Sequence, residues 1–232
     1  WPVNSYDLAD FAMRHKVDYV SSDQPQAMQN LMSAIRELNW KQSKKLICFD
    51  LDGTLTQHRT NMSPESKAVL DTLRQRYEVI MVGGGNCRRI YRQMNEYPIT
   101  ILGNYGMEES RMVDGVFTMV REDKAKIDRK AYDKTLASLR KKHGYTDYKG
   151  ESAEYHESGM VTFGLLGTKP AQADKLVFDP DKVKRRAMLQ DVQEAFKDCN
   201  IFIGGSTSFD ITPAGYNKYD AVMRYAAEKG YV

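Results

Sequence analysis

Four apolar residues, Leu46-Ile47-Cys48-Phe49, run without a break and stop at Asp50-Leu51-Asp52-Gly53-Thr54-Leu55-Thr56. No other stretch limits the fold of this chain so tightly. A short unbroken apolar run that ends in turn residues reads as a strand buried on both faces, the kind found in parallel sheets. Side chains two apart in an extended chain point the same way, so Asp50 and Asp52 leave the strand end on one side and Leu51 turns from them. Gly53 permits a tight turn or a close backbone approach, and Thr54 and Thr56 set hydroxyls beside the acids. An acidic turn after a buried strand would explain the Asp-Gly pair but not two aligned carboxylates flanked by threonines. The set suits a metal ion and a phosphate. One carboxylate can attack phosphorus once a divalent cation screens the repulsion, and a second can move the leaving group's proton.

The segments that follow repeat a strand-then-helix rhythm. Ser63-Pro64-Glu65 combines a capping hydroxyl, a first-turn proline and a first-turn acid, and Val69, Leu70, Leu73 and Tyr77 give the helix its apolar face. Val79-Ile80-Met81-Val82 reads as the next buried strand and runs into Gly83-Gly84-Gly85-Asn86. A helix from Arg88 to Met94 and a third strand, Ile99 to Leu102, follow. Short alternating units of this kind imply an α/β fold, a Rossmann-like parallel sheet with helices on both faces. Ligands of such sheets lie beyond the carboxyl ends of the strands, where Asp50, Gly84 and Asn104 fall. The rhythm then changes. A hairpin on Asp114-Gly115, a charged helix from Asp128 to His143, a strand-like run from Tyr155 to Leu166 and a helix from Asp179-Pro180 to Phe196 read as an inserted α+β domain. The expected division is an extension over 1–42, a core over 43–107 and 201–232, and a cap over 108–200.

Composition excludes several classes of function. The 232 residues carry a net charge of +3 from 34 basic and 31 acidic residues, too balanced to imply nucleic acid or an anionic membrane surface as partner. No apolar run approaches a membrane span. The cysteines, Cys48, Cys87 and Cys199, are odd in number, scattered and without metal-ligand spacing, so a reducing, cytoplasmic setting is expected. His15, His143 and His156 show no metal spacing either, His58 near the acids reads as a solvated loop histidine with a substrate contact as the alternative, and Arg88 and Arg89 read by default as a charged helix face.

Asp50-Leu51-Asp52-Gly53-Thr54-Leu55-Thr56 resembles the DxDGT(L/V)T motif of the haloacid dehalogenase superfamily of aspartate-nucleophile phosphotransferases. The cap between the third strand and a lysine-headed helix is similar to that of the type IIB branch, which holds Cof-like sugar phosphatases, sucrose phosphatase and the eukaryotic-type phosphomannomutases. The mutases are most similar locally. Arg59 stands at the arginine of a segment resembling DVDGTLTxxRQ, Met81 to Asn86 resembles VVGGSD, and Gly204 to Lys218 resembles GGQISFDVFPDGWDK. The resemblance implies Asp50 as nucleophile and Mg2+ ligand. It implies Asp52 as general acid/base and second contributor to the metal. Lys218 would hold the phosphate of a small phosphorylated substrate, with Arg59, Ser208 and Asp210 as further substrate contacts. Gly84 and Gly85 would offer backbone N–H groups to phosphate, with Asn86 standing in for the Ser or Thr that phosphatases of the superfamily carry there.

Three departures bear on activity. Thr162 and Ala173 stand where the mutase cap has arginines that hold a second phosphate, which favours hydrolysis of a monophosphate over mutation, with Lys169 or Lys175 as the available substitutes. Gly85 removes the hydroxyl of the second motif. The acidic pair that completes the magnesium shell, resembling GDxxND, is expected beyond Val232, so the chain is expected to be part of a longer protein and to be inactive by itself. A phosphomannomutase-like transferase and a non-catalytic binding module stand as the alternatives. The first forty residues, Trp1-Pro2-Val3-Asn4 through a strand at Val17 to Val20 and a helix from Gln26 to Trp40, resemble the end of a glycerophosphodiester phosphodiesterase barrel, which implies fusion to or association with such a domain.

Overall fold

The computed structural model describes residues 46–56 and 60–231, so the phosphodiesterase-like segment and Arg59 lie outside the described residues. The chain divides into two compact units, one running to Glu122 and resuming at Lys218, the other Asp123–Asn217.

In the first unit, β1 (Leu46–Phe49), β2 (Glu78–Val82) and β3 (Thr100–Gly103) form a parallel sheet in that order, extended by antiparallel β4 (Glu108–Val113) and β5 (Val116–Glu122). Strand alternation decides which helix covers which face. Ile47, Phe49, Val79, Met81 and Ile101 turn to α1 (Pro64–Leu73) and α2 (Cys87–Gln93), meeting Leu70, Leu73 and Ile90. Leu46, Cys48, Ile80, Val82 and Leu102 turn the other way, onto Ala221, Val222, Tyr225 and Ala226 of α6 (Lys218–Lys229). Both faces are dry, which is why β1 and β2 read as unbroken apolar runs. Each fully buried aliphatic side chain contributes roughly 1.5–3 kcal/mol to holding these layers together. The Ser63 side chain accepts the Ser66 N–H and caps α1, and Pro64 occupies its first turn, as the residue types require.

The second unit is a four-stranded antiparallel sheet in the order β6 (Ala153–Tyr155), β7 (Val161–Gly164), β9 (Ser208–Pro213) and β8 (Cys199–Gly204). Its apolar face, with Val161, Phe163, Phe209 and Ile211, packs against α3 (Arg129–His143) and α5 (Val183–Ala195), and α4 (Gln172–Phe178) lies between β7 and α5 in sequence. Among the described residues no helix is long and apolar enough to cross a membrane.

The boundaries expected from sequence, 108–200 for the insert and 201–232 for the core, shift at both ends. The hairpin β4–β5 turns on Asp114 and Gly115, both at positive φ, and pairs through β4 with β3, so it belongs to the core sheet. Strands β8 and β9 belong to the cap sheet, because Phe209 and Ile211 alternate into the same apolar cluster as Val161 and Phe163. The strand-like run from Tyr155 to Leu166 is two strands, broken at Gly159, whose φ of 92° lets the chain reverse. Asp179 does cap the helix that ends near Phe196, but from outside it: its carboxylate accepts the N–H groups of Lys184 and Arg185.

Candidate active site

β1 delivers Asp50 at its carboxyl end. Gly53, at a φ of 85°, folds the following residues back so that the Leu51 carbonyl accepts the N–H groups of Thr54, Leu55 and Thr56. Asp50 Oδ1 accepts the Leu51 N–H at 2.8 Å. Asp50 Oδ2 receives Lys218 Nζ at 2.5 Å, a contact that spans 168 positions of sequence. Lys218 reaches it because α6 is seated on the sheet by Ala221, Val222 and Tyr225 and held at Gly106, whose carbonyl accepts Arg224 Nη2 at 2.6 Å. A Cβ at Gly106 would stand 2.4 Å from Ala221 Cβ, so only glycine lets the loop approach the helix this closely.

Asp52 is held from the other side. Arg89 Nη2 donates to its Oδ2 at 2.8 Å and Gln93 Nε2 to its Oδ1 at 2.9 Å. Arg89 and Gln93 are four apart on α2 and therefore share a face. The Gln93 amide also reaches Thr56 Oγ1 at 3.1 Å, tying the acid-bearing turn to the helix. Neither residue was expected at the site. Arg89 read as half of a charged pair with Arg88, and the structure separates the two: Arg88 is exposed, whereas Arg89 turns inward. The i, i+4 spacing was the available signal, but it does not say which face of a polar helix looks at an acid.

The glycine run after β2 is closed over by three side chains. A Cβ at Gly83 would stand 2.8 Å from Ile90, one at Gly84 3.0 Å from the Tyr105 ring, and one at Gly85 2.4 Å from Arg89 Nε. The backbone is pinned as well. The Gly85 carbonyl accepts the Asn104 N–H at 2.8 Å, and the Gly83 carbonyl accepts that of Tyr105 at 3.0 Å. Glu108 completes the brace, its carboxylate accepting the Cys87 N–H at 2.8 Å and the Asn104 amide at 2.7 Å. Asn86, expected as a phosphate contact, serves as a helix cap. Its side chain accepts the Arg89 N–H at 2.7 Å and caps α2, and cap and anion ligand call for the same residue type.

Of the sequence-predicted site residues, then, Asp50, Asp52, Lys218, Gly84 and Gly85 belong to one unit and one sheet end. Ser208 and Asp210 belong to the second unit, on β9. There Ser208 Oγ donates to the Gly204 carbonyl at 3.1 Å, and Asp210 accepts Thr162 Oγ1 at 3.0 Å from the neighbouring strand. Thr162 is also 3.1 Å from His156 Nε2, so this polar face of the sheet presents an acid, a hydroxyl and an imidazole.

The donor set of the core site suits magnesium in kind. Asp50 and Asp52 supply hard carboxylate and carbonyl oxygens, and magnesium is commonly held by one or two carboxylates with water and substrate phosphate making up its six ligands. Among the described residues no third histidine, cysteine or acid joins them. Thr54 Oγ1, shut away from solvent beside the acids, has no hydrogen-bond partner among the described residues, an orphaned hydroxyl of the kind a bound group would satisfy.

No protein-family model matches the sequence. The chain is 30% identical over 202 residues to a phosphomannomutase of Triticum aestivum, covering 81% of this chain and 79% of that one. It is 28% identical over 191 residues to phosphomannomutase 2 of Dictyostelium discoideum, covering 76% and 75%. Among solved structures, a sugar phosphatase of subclass IIB of the haloacid dehalogenase superfamily matches with a TM-score of 0.51 at 14% identity, over 81% of this chain and 76% of that one, a likeness of fold.

Proposed function

The chain belongs to the phosphomannomutase family of the haloacid dehalogenase superfamily, and from that premise we propose that it is a magnesium-dependent phosphatase of a small sugar or polyol monophosphate. The single observation that carries this reading is the contact of Lys218 with Asp50. A lysine set against the carboxylate at a strand end, with a second carboxylate two residues on, is what attack on phosphorus requires: a nucleophile, a fixed positive charge and a proton carrier.

In this reading an Asp50 carboxylate oxygen attacks phosphorus, the new P–O bond forms as the ester P–O bond breaks, and Asp52 gives a proton to the departing sugar oxygen. Water then attacks the aspartyl-phosphate, Asp52 takes its proton, and inorganic phosphate leaves with Asp50 regenerated. Lys218 holds the phosphoryl oxygens through both steps as a point charge. Gln93 and Arg89 keep Asp52 in place. Asp50 and the Asp52 backbone carbonyl would hold magnesium, which when bound would supply charge neutralisation between the nucleophile and the phosphate.

Hydrolysis is preferred to mutation because of the cap. A mutase must grip phosphate at both ends of a bisphosphate, and Thr162 and Ala173 stand where the mutase cap has its bidentate arginines. The mutase reading is favoured in turn by the names of the relatives, and Arg59 would serve it as a substrate contact. One experiment separates them. The intact protein with magnesium, given a panel of hexose and polyol monophosphates, is expected to release phosphate with no bisphosphate added, and Asp50→Asn to lower that rate at least about a thousandfold. Turnover that depends on a hexose bisphosphate would establish the mutase, and no turnover in either assay would leave a binding module.

A further inference from the structure

Gly85 is occupied by an arginine in all but sequence. The space its side chain would fill holds the Arg89 guanidinium, with Nε, Nη2 and Cζ at 2.4, 2.5 and 2.8 Å from an ideal Cβ. Gly85 has no positive φ, so backbone conformation does not demand glycine there. Space does. The absence of a side chain at position 85 lets the arginine lie along the loop.

The guanidinium is only partly used where it lies. It carries five N–H donors in a rigid fork. One of them, on Nη2, meets Asp52 Oδ2. The Nε is shut away from solvent and has no acceptor among the described residues. Leaving a buried donor of a charged group without an acceptor is costly, so its persistence beside two carboxylates and a lysine points to an acceptor that arrives with the ligand. The neighbouring glycine lies near the nucleophile: a Cβ at Gly83 would be 3.9 Å from Asp50 Oδ1. The site thus has one cation on Asp50, Lys218, and another on Asp52, Arg89.

We propose that Arg89 is a phosphate ligand of this site, holding the substrate's phosphoryl group through its planar fork across Gly85, which is side-chain-free to admit it. This rests on the phosphatase reading above and adds a residue to it. A fork pairs with a phosphoryl group through two parallel hydrogen bonds, where a lysine offers a single point charge. Arg89 and Lys218 therefore play different parts, the first orienting the phosphoryl group and the second neutralising it. The same guanidinium keeps its grip on Asp52, so the proton carrier and the phosphate are set in register by one side chain.

The test uses the intact protein with magnesium, inorganic phosphate as the binding probe in calorimetry, and p-nitrophenyl phosphate as substrate. That ester's leaving group departs without a proton, so release of p-nitrophenolate in the first turnover does not need the Asp52 proton. Arg89→Gln is expected to weaken phosphate binding and raise KM for the ester at least tenfold, with Arg89→Lys recovering only part. Gly85→Ser in the Arg89→Gln background is expected to regain affinity, because a hydroxyl then enters the vacated space, whereas Gly85→Ser by itself is expected to weaken binding by displacing the guanidinium. Thermal melts keep folding separate from binding. If a folded Arg89→Gln protein binds phosphate within twofold of the parent and keeps its KM, the role assigned to Arg89 is wrong and the phosphatase reading stands. A parent protein that neither binds phosphate nor cleaves the ester overturns both.

Discussion

Asp52 is the residue through which the chemistry is most easily read. With both of its oxygens engaged by Arg89 and Gln93, it is held as a proton carrier should be, by groups that fix its orientation without taking its place. Asp52→Asn is expected to slow first-turnover cleavage of an alkyl phosphate by about 10²–10⁴-fold, the usual worth of a positioned acid, and to slow first-turnover release of p-nitrophenolate far less. Single-turnover rates on the two esters check this, and equal losses on both would mean that Asp52 acts through charge alone. The pair Asp50 and Asp52 was legible in the sequence because a buried strand ends on them at a spacing of two. Arg89 and Gln93 were not, because a helix with arginines at 88, 89 and 92 looks solvated all round until its neighbours are known. The capping by Asn86 follows the usual preference for a short polar side chain at the start of a helix.

At the scale of elements, the site depends on α6 standing close to the loop after β3. Gly106 has a φ of 90° and leaves no room for a methyl group against Ala221. Gly106→Ala is expected to destabilise the protein by about 1–3 kcal/mol, through strain at a left-handed position and displacement of α6. Thermal denaturation measures the first, and loss of activity beyond that expected from the folded fraction measures the second, because Lys218 heads the displaced helix. An unchanged melting temperature would show that the helix does not need this approach. The helices and parallel strands of this unit were readable because period and capping agree in them. The edges of the cap were not, since a hairpin and a returning strand carry the same alternating pattern whichever sheet receives them.

Across the molecule, each unit has its own apolar core, and the second contains a buried ion pair. Asp179 and Arg185 are both nearly inaccessible, their side chains 2.8 Å apart, and Arg185 also donates to the carbonyls of Gly204 and Gly205. Burial by itself would raise the Asp179 pKa, but the Arg185 hydrogen bond and the N–H groups of Lys184 and Arg185 bring it below its ordinary value. A carboxyl depressed in the folded state adds stability that is complete above its unfolded pKa of about 3.9 and is lost as pH falls through the lower folded value. Melting temperature is therefore expected to fall with acid from about pH 4 downward, and Asp179→Asn to flatten that dependence. The same substitution is expected to cost about 3–5 kcal/mol at neutral pH, because Arg185 is left buried without its partner. An Asp179→Asn protein as stable as the parent would show that the carbonyls alone satisfy the arginine. Removal of magnesium by a chelator is expected to abolish phosphate release and leave the melting temperature within a few degrees, since both cores form without the metal ligands.

The most direct measurement is the capture of the covalent intermediate. The intact protein with magnesium, mixed with a monophosphate labelled in its phosphoryl group and quenched in acid within the first turnover, is expected to carry label on the peptide that contains Asp50. That label should be released by hydroxylamine, as an acyl phosphate is, and be absent from Asp50→Asn. Phosphate release with no covalent label, or an Asp50→Asn protein that retains its turnover, would contradict nucleophilic attack by Asp50.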